Sequence, residues 1–453
     1  MGKVPGEKYI RAWQMEPLPM AQIASLTPPD IDLFFQDDRM EEINYERGTD
    51  LVAMSVETYT AKRAYQIASL FRRKNVPVIM GGFHATLCPE EVAEYADCVV
   101  TGEAENVWSE ILQDFKNGKL KSRYDSSECK LDNTVIPDRS IYASKNYVDI
   151  TLMEAGRGCR FFCEFCSIHE FYRKKHHFRP IVGIVNEIKQ LKTKRKLLFF
   201  VDDNIVSDQE RAKDLFRALI PLKIKWVGQA DILVARDPEL LDLMAKSGCQ
   251  GVLIGFENLN STNLKIMKKR MNRSEDEMVS AITRIHKKGI RIYATFLFGY
   301  EHDRQEDFDK VLDFCVRNKV FMVGFNHLTP FPGTQLYERL KEENRLLYEK
   351  WWLADEYTYG KIPFKSNISA DIIEKECRRI RRKFYGWKSI LYRMTNNTNI
   401  SSFFLFTLYL SINTLLRKDT FQRINFPLGD KNFRMPLLST HKIMEKDVSQ
   451  VSL

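Results

Sequence analysis

Between residues 149 and 326, six short apolar runs alternate with amphipathic stretches, and this alternation restricts the fold more than any other feature of the chain. The runs are residues 149–153, 196–201, 225–228, 251–256, 291–297 and 321–326. Each is nearly continuous in apolar character, as a strand covered on both faces must be. The stretches between them carry helix punctuation. Asp237 and Pro238 read as N-cap and first helical residue, with Gly248 as the stop. Ser274 and Glu277 have capping-box spacing, with Met278, Ala281, Ile282 and Ile285 on one face and Gly289 closing the helix. Asp303 and Glu306 repeat that spacing. Six strand–helix units predict a parallel, partial (β/α)6 barrel over residues 149–340.

A shorter alternation precedes it. Residues 32–35, 51–56, 77–80 and 98–100 read as buried strands, and 60–74, 89–95 and 104–115 as helices. This predicts an α/β, doubly wound domain over 1–118. A first strand is not evident, because residues 1–10 are polar and carry Pro5 and Gly6. Residues 119–148 are polar with little periodicity and read as a linker. Residues 341–453 read as a mainly helical region that contacts substrate or membrane. It holds Trp351, Trp352, Tyr357 and Tyr359, a basic and aromatic segment at 374–393, and an apolar run at 403–416.

Composition removes several function classes. The 453 residues include 69 basic and 60 acidic side chains, net +9, which does not by itself call for nucleic acid. The 9 cysteines are an odd number, and no secretion signal opens the sequence, so a cytoplasmic, reducing location is expected. The apolar run at 403–416 is too short to span a bilayer. Arg378, Arg379, Arg381, Arg382, Lys383, Lys388 and Arg393 are interleaved with Phe384, Tyr385, Trp387 and Tyr392. That mixture suits peripheral contact with an anionic membrane. It also suits a buried helix with the arginines on a solvated face.

The chemistry concentrates at GRGCRFFCEFCSIH, residues 156–169. Cys159, Cys163 and Cys166 have C-x3-C-x2-C spacing. Three thiolates on one loop bind three irons of a cubane and leave the fourth open to a small molecule. With His169 they would instead make a Cys3His zinc site, and a zinc-stabilised binding protein is the reading of another class. Structural zinc sites usually split their ligands into two separated pairs, and the cysteines follow the first barrel strand, where barrels place catalysis.

CRFFCEFC resembles the C-x3-C-x-aromatic-C signature of radical S-adenosylmethionine (SAM) enzymes. The resemblance implies a [4Fe–4S] cluster on Cys159, Cys163 and Cys166. It implies SAM chelated to the open iron and cleaved reductively to a 5′-deoxyadenosyl radical. Phe165 would sit beside the adenine. Asp202, Asp203 and Asn204 would read the SAM amine, Glu257 the ribose, Gln229 would line the site, and Gly299 would admit backbone near the adenine. The segments GGFHAT at 81–86 and TGEAE at 101–105 resemble the cobalamin-binding domain joined to one large group of these enzymes. That implies a flavodoxin-like fold, with cobalamin at the strand C-termini against Ser55, Thr58, Gly81, Gly82, Thr101, Gly102 and Glu103. The histidine motif that ligates cobalt in methionine-synthase-like proteins is missing, and His84 stands in a different context. The function implied is cobalamin-dependent methylation of an unactivated carbon in a hydrophobic, lipid-like substrate, with flavodoxin or ferredoxin as electron donor. Ring formation, coupling or oxidation without methyl transfer is the alternative within the superfamily.

Overall fold

Four strands near the N-terminus, β1 (Val52–Ser55), β2 (Val78–Gly81), β3 (Cys98–Gly102) and β4 (Arg123–Ser126), form a parallel sheet in sequential order. This computed structural model describes residues 3–4, 8–9, 14–126, 135–191, 197–269, 274–419 and 424–439; Cys129 and part of the expected linker lie outside them. The chain divides into two units. One comprises residues 1–148, 348–359 and 425–453, and the other 149–347 and 360–424.

In the first unit the helices are α1 (Leu18–Leu26), α2 (Ala61–Arg72), α3 (Phe83–Leu87), α4 (Pro89–Tyr95) and α5 (Trp108–Lys116). Val78, Ile79, Met80 and Val100 are buried in the sheet, as a doubly covered parallel sheet requires. Two expectations need correction. Residues 32–35 form no strand, and Leu33 and Phe34 are exposed. A strand needs a neighbour to bond with, and β1 is itself the sheet edge. No first strand joins this sheet among the described residues; Lys3–Val4 pairs only with Lys8–Tyr9. Part of the expected linker is β4, whose polar sequence hides an alternation that buries Tyr124 and Ser126.

The expected C-terminal region is divided between the units. Trp351, Trp352 and Tyr357 are buried in the first. The indole of Trp352 donates to Glu91 at 2.9 Å, as does the Tyr65 hydroxyl, and His84 Nε2 is 3.2 Å from the same oxygen. Burial alone would raise the Glu91 carboxyl, but these donors pull it down to about 2. A depressed carboxyl stabilises the fold above its unfolded value, and loses that contribution as pH falls through the folded one. Thermal melts should therefore show wild type more stable than Glu91→Gln at pH 7, by roughly 2–3 kcal/mol. That advantage should vanish between about pH 4.5 and pH 2. An advantage unchanged across that window would contradict the assignment.

The second unit holds β5 (Thr151–Met153), β6 (Leu198–Phe200), β7 (Trp226–Gln229), β8 (Cys249–Glu257), β9 (Arg291–Phe298) and β10 (Met322–His327), six parallel strands in sequential order. Among the described residues β5 and β10 are the two outer strands and do not pair with each other, so the sheet is a partial barrel. The helices are α6 (Ser167–Phe171), α7 (Ile181–Gln190), α8 (Gln209–Leu219), α9 (Pro238–Lys246), α10 (Ser261–Ile266), α11 (Glu275–Lys287), α12 (Gln305–Arg317) and α13 (Gln335–Glu342). They are followed by α14 (Ala370–Phe384), α15 (Trp387–Met394), α16 (Asn397–Ile400) and α17 (Phe403–Asp419). Asp237 and Ser274 cap α9 and α11 as expected. The α12 cap is Arg304 with Asp307, one residue later than the expected Asp303 and Glu306.

The arginines of 374–393 do not make one solvated face. The outward backbone of β10 is satisfied by α14 and the residue after it. The Tyr385 hydroxyl bonds both backbone groups of Val323, and Arg381 donates to the Phe325 carbonyl at 3.0 Å. Arg393 is fully buried and bonds the carbonyls of Val320, Phe321 and Phe384 and the Asn413 side chain. Arg379 forks onto Asp309. A sheet edge left open would invite pairing with another chain, and these side chains close it.

Candidate active site: a braced three-cysteine loop

The loop after β5 leaves the sheet and is held from several sides. Gly156–Arg157 pairs antiparallel with His177–Phe178, closing the loop at its base. Ala155 N–H donates to the Asp202 carboxylate at 2.9 Å and Gly158 N–H to Asp203 at 3.0 Å. Arg160 N–H reaches the Ser207 hydroxyl at 3.3 Å. Further along, Glu164 bonds through its backbone to Met267 and Leu336, and its carboxylate pairs with Arg339 at 2.8 Å. Elements following β6, β8 and β10 thus position a segment with almost no regular structure of its own.

Cys159, Cys163 and Cys166 are half-buried on this loop and feel one another electrostatically. Burial raises the thiols of Cys159 and Cys163, and pushes Cys166 up to about 12. Lys269 opposes this at Cys159 and Cys163. Its ammonium is 3.0 Å from Glu257, and both side chains are largely buried. Among the described residues no three potential ligands stand grouped at metal-binding distance. The fit to an iron–sulfur cluster lies in the donor chemistry: three thiols on one braced loop with a buried cation beside them. His169, the candidate fourth ligand of a zinc site, packs edge-on against Phe162 at 4.3 Å.

The other expected SAM residues end strands of the same sheet. Asp202 and Asp203 each spend a carboxylate oxygen on bracing the cysteine loop. Burial raises Asp202 to about 8 and Asp203 to about 6. Asn204 is engaged at both ends of its amide by Asp231. Gln229 ends β7 half-buried, and Phe165 packs on the barrel core. Glu257 sits at a register shift between β8 and β9 with φ 64°. Its carboxylate folds back over Gly255, where any Cβ would collide with it. Gly299 has φ 119°, and its N–H is committed to Asp303 at 2.7 Å. Asp303 also accepts from Tyr300 N–H and from the Asn258 and Asn263 amides, tying the turns after β8 and β9 together. Lys269, Asp231 and Arg339 are absent from the sequence reading, because each acts through a partner remote in the chain, and Asp303 figures there only as a helix cap. Acidic or basic residues in polar loops carry no local signal for this.

The second group of expected residues lies in the first unit at the C-terminal ends of β1, β2 and β3. Ser55 pairs in register with Gly81, and Thr101 and Gly102 end β3. The Thr101 hydroxyl is buried without a hydrogen-bond partner. Gly82 has φ 94°, and a Cβ there would press on Ser55 and Val56. Gly81 has no such strain, and its nearest neighbour is Val100 at 3.6 Å. Thr58 is occupied by His84 Nδ1 at 3.3 Å, Gly102 N–H by Thr86, and Glu103 is buried. The glycine-lined strand ends and the unsatisfied Thr101 hydroxyl fit a long polar ligand tail. His84 does not fit a cobalt ligand: it is fully buried, with Thr58 and Glu91 at its two ring nitrogens.

Comparison with known proteins bears on both groups. Sequence profiles for the Radical SAM superfamily and for a B12 binding domain match residues 153–315 and 20–112. The bacteriochlorophyllide d C-12(1)-methyltransferase of Chlorobaculum tepidum is 30% identical over 389 residues, covering 83% of this chain and 84% of that protein. The C-8(2)-methyltransferase of the same organism is 30% identical, covering 83% of this chain and 86% of that one. The cobalamin-dependent S-adenosylmethionine radical enzyme OxsB with aqua-cobalamin bound has the same fold, with TM-score 0.58 at 14% identity, covering 90% of this chain and 68% of that one.

Proposed function

Because the chain belongs to the cobalamin-dependent radical SAM methyltransferases, we propose that it methylates an unactivated carbon of a hydrophobic small molecule. It is an enzyme whose cofactors are a [4Fe–4S] cluster, SAM and cobalamin. When bound, these supply a carbon-centred radical able to take hydrogen from an unreactive position, and a methyl carrier to replace it. In this reading Cys159, Cys163 and Cys166 hold the cluster, and Asp202 and Asp203 keep their loop in place. Phe165, Asn204, Gln229, Glu257 and Gly299 surround SAM. Ser55, Thr58, Gly81, Gly82, Thr101, Gly102 and Glu103 form the cobalamin cradle, with Thr101 donating its unused hydroxyl. His84 stays with Glu91, so cobalt receives no histidine.

The observation that carries the proposal is the 30% identity to two methyltransferases across both domains. It makes a chlorin of the kind named for those relatives the first substrate candidate. A low-potential donor such as flavodoxin or ferredoxin would supply the electron. A cytoplasmic site with peripheral membrane contact completes the reading, and no described helix is long and apolar enough to cross a membrane. The test is anaerobic incubation with SAM, reductant, cobalamin and candidate substrates, followed by mass spectrometry. A product heavier by one methylene supports the reading, and a ring-closed or oxidised product without added carbon replaces it with the non-methylating alternative.

The cradle has its own test. In this reading a side chain at Gly81 would stand in the cobalamin tail's path; it would meet no backbone strain there, whereas one at Gly82 would distort the turn itself. Gly81→Leu should retain cobalamin at least about tenfold more weakly than wild type in equilibrium dialysis, with an unchanged melting temperature. Equal retention would remove Gly81 from the site.

A further inference from the structure

The outward face of α15 is unusually apolar. Its exposed side chains include Trp387, Leu391 and Tyr392, with Lys388 among them. Trp387 and Leu391 are four residues apart and so lie on one stripe, as do Lys388 and Tyr392. A recess of about 530 Å³ opens beside them, lined by Lys383, Trp387, Lys388 and Tyr392 together with small or apolar neighbours. At the start of α17, Phe403 is 81% exposed and Phe404 59%. No Asp or Glu occurs anywhere from residue 387 to residue 417. Cations stand over the exposed rings instead. Arg417 is 5.8 Å from Trp387, Lys319 is 5.3 Å from Tyr392, and Lys225 is 5.6 Å from Phe404. Of the lining cations, Lys383 is paired with Asp309 at 3.3 Å, which Arg379 also holds.

We infer that this face of α15 and α17 docks on an anionic lipid bilayer surface. The inference rests on the membrane contact proposed above and moves it from the arginines of α14, which are engaged within the protein, to this face. Exposed aromatic and aliphatic side chains enter the interfacial zone, and lysines beside them reach the anionic headgroups. A second copy of the chain is a poorer occupant, because an isologous contact would bring two predominantly cationic patches together. Exposed large apolar side chains gathered on one surface, unlike scattered single ones, mark an interaction site.

The experiment is co-sedimentation of the cluster-loaded full chain with phosphatidylglycerol-containing vesicles and with phosphatidylcholine vesicles, with and without added salt. Binding to the anionic vesicles should fall on raising salt, since screening shortens the reach of the cations. Phe403→Ser combined with Phe404→Ser should weaken binding about tenfold or more, and Trp387→Ser combined with Leu391→Ser similarly. These positions are exposed, so circular dichroism should show unchanged folding. Wild type that fails to sediment overturns the inference together with the membrane contact. Wild type that binds equally well after both pairs of substitutions overturns this face alone. A chain that dimerises in sedimentation velocity, and is made monomeric by Phe403→Ser with Phe404→Ser, overturns it in favour of a self-interface. None of these readouts involves turnover, so methyl transfer stands or falls separately.

Discussion

Replacing Cys159, Cys163 or Cys166 with alanine should leave the protein folded but without iron, and should reduce SAM cleavage to background. In the proposed assignment each thiolate is one of three cluster ligands on a single loop, and the open fourth position needs all three in place. The loss should exceed the roughly 100-fold that removing a supporting partner of a metal ligand costs. Cys98, Cys249 and Cys315 are buried in separate elements of the two units and share no loop with the three. Their alanine variants should keep a full complement of iron. Iron analysis and electron paramagnetic resonance after anaerobic reconstitution, with 5′-deoxyadenosine measured by chromatography, check both arms. A Cys163→Ala protein with full cluster and full cleavage would overturn the ligand assignment.

Lys269→Met should be among the most destabilising substitutions in the barrel unit. The side chains of Lys269 and Glu257 are only 14% and 9% exposed, and their charged ends are 3.0 Å apart. Removing the cation leaves a buried carboxylate uncompensated, which costs about 3–5 kcal/mol. For a unit of this size that is a fall of roughly 10 °C in melting temperature. Adding Glu257→Gln removes the orphaned charge and should restore more than half of the loss. Calorimetry of the cluster-free chain checks the pair. A shift of less than about 2 °C for Lys269→Met would show that the pair is hydrated and not buried.

The six barrel strands were legible because each is an apolar run bounded by helix signals, and every one appears in the sheet within a few residues of its expected bounds. Residues 32–35 have the same local character and form no strand, because strand formation depends on a neighbour that local pattern cannot supply. Arg123–Ser126 is the converse: its residues are polar, and pairing with β3 makes it a strand. The basic, aromatic pattern of 374–393 suits a face toward water or membrane. Arg381 instead turns inward to a carbonyl of β10, and Arg393 to the carbonyls of Val320 and Phe321 just before it, roles that exist only once the fold brings these elements together. The cysteine loop was visible from spacing alone. What braces it was not, since Glu164 with Arg339 and Glu257 with Lys269 are meetings of residues made by the fold.

One measurement addresses the central claim that both domains act in a single methyl transfer. The reconstituted enzyme, loaded with cobalamin, is given SAM bearing a deuterated methyl group, a reductant and a chlorin substrate under anaerobic conditions. The account predicts a product carrying the label, formed together with 5′-deoxyadenosine, and neither one without Cys159, Cys163 and Cys166. An altered product that contains no label, formed at the same rate with or without cobalamin, would contradict it.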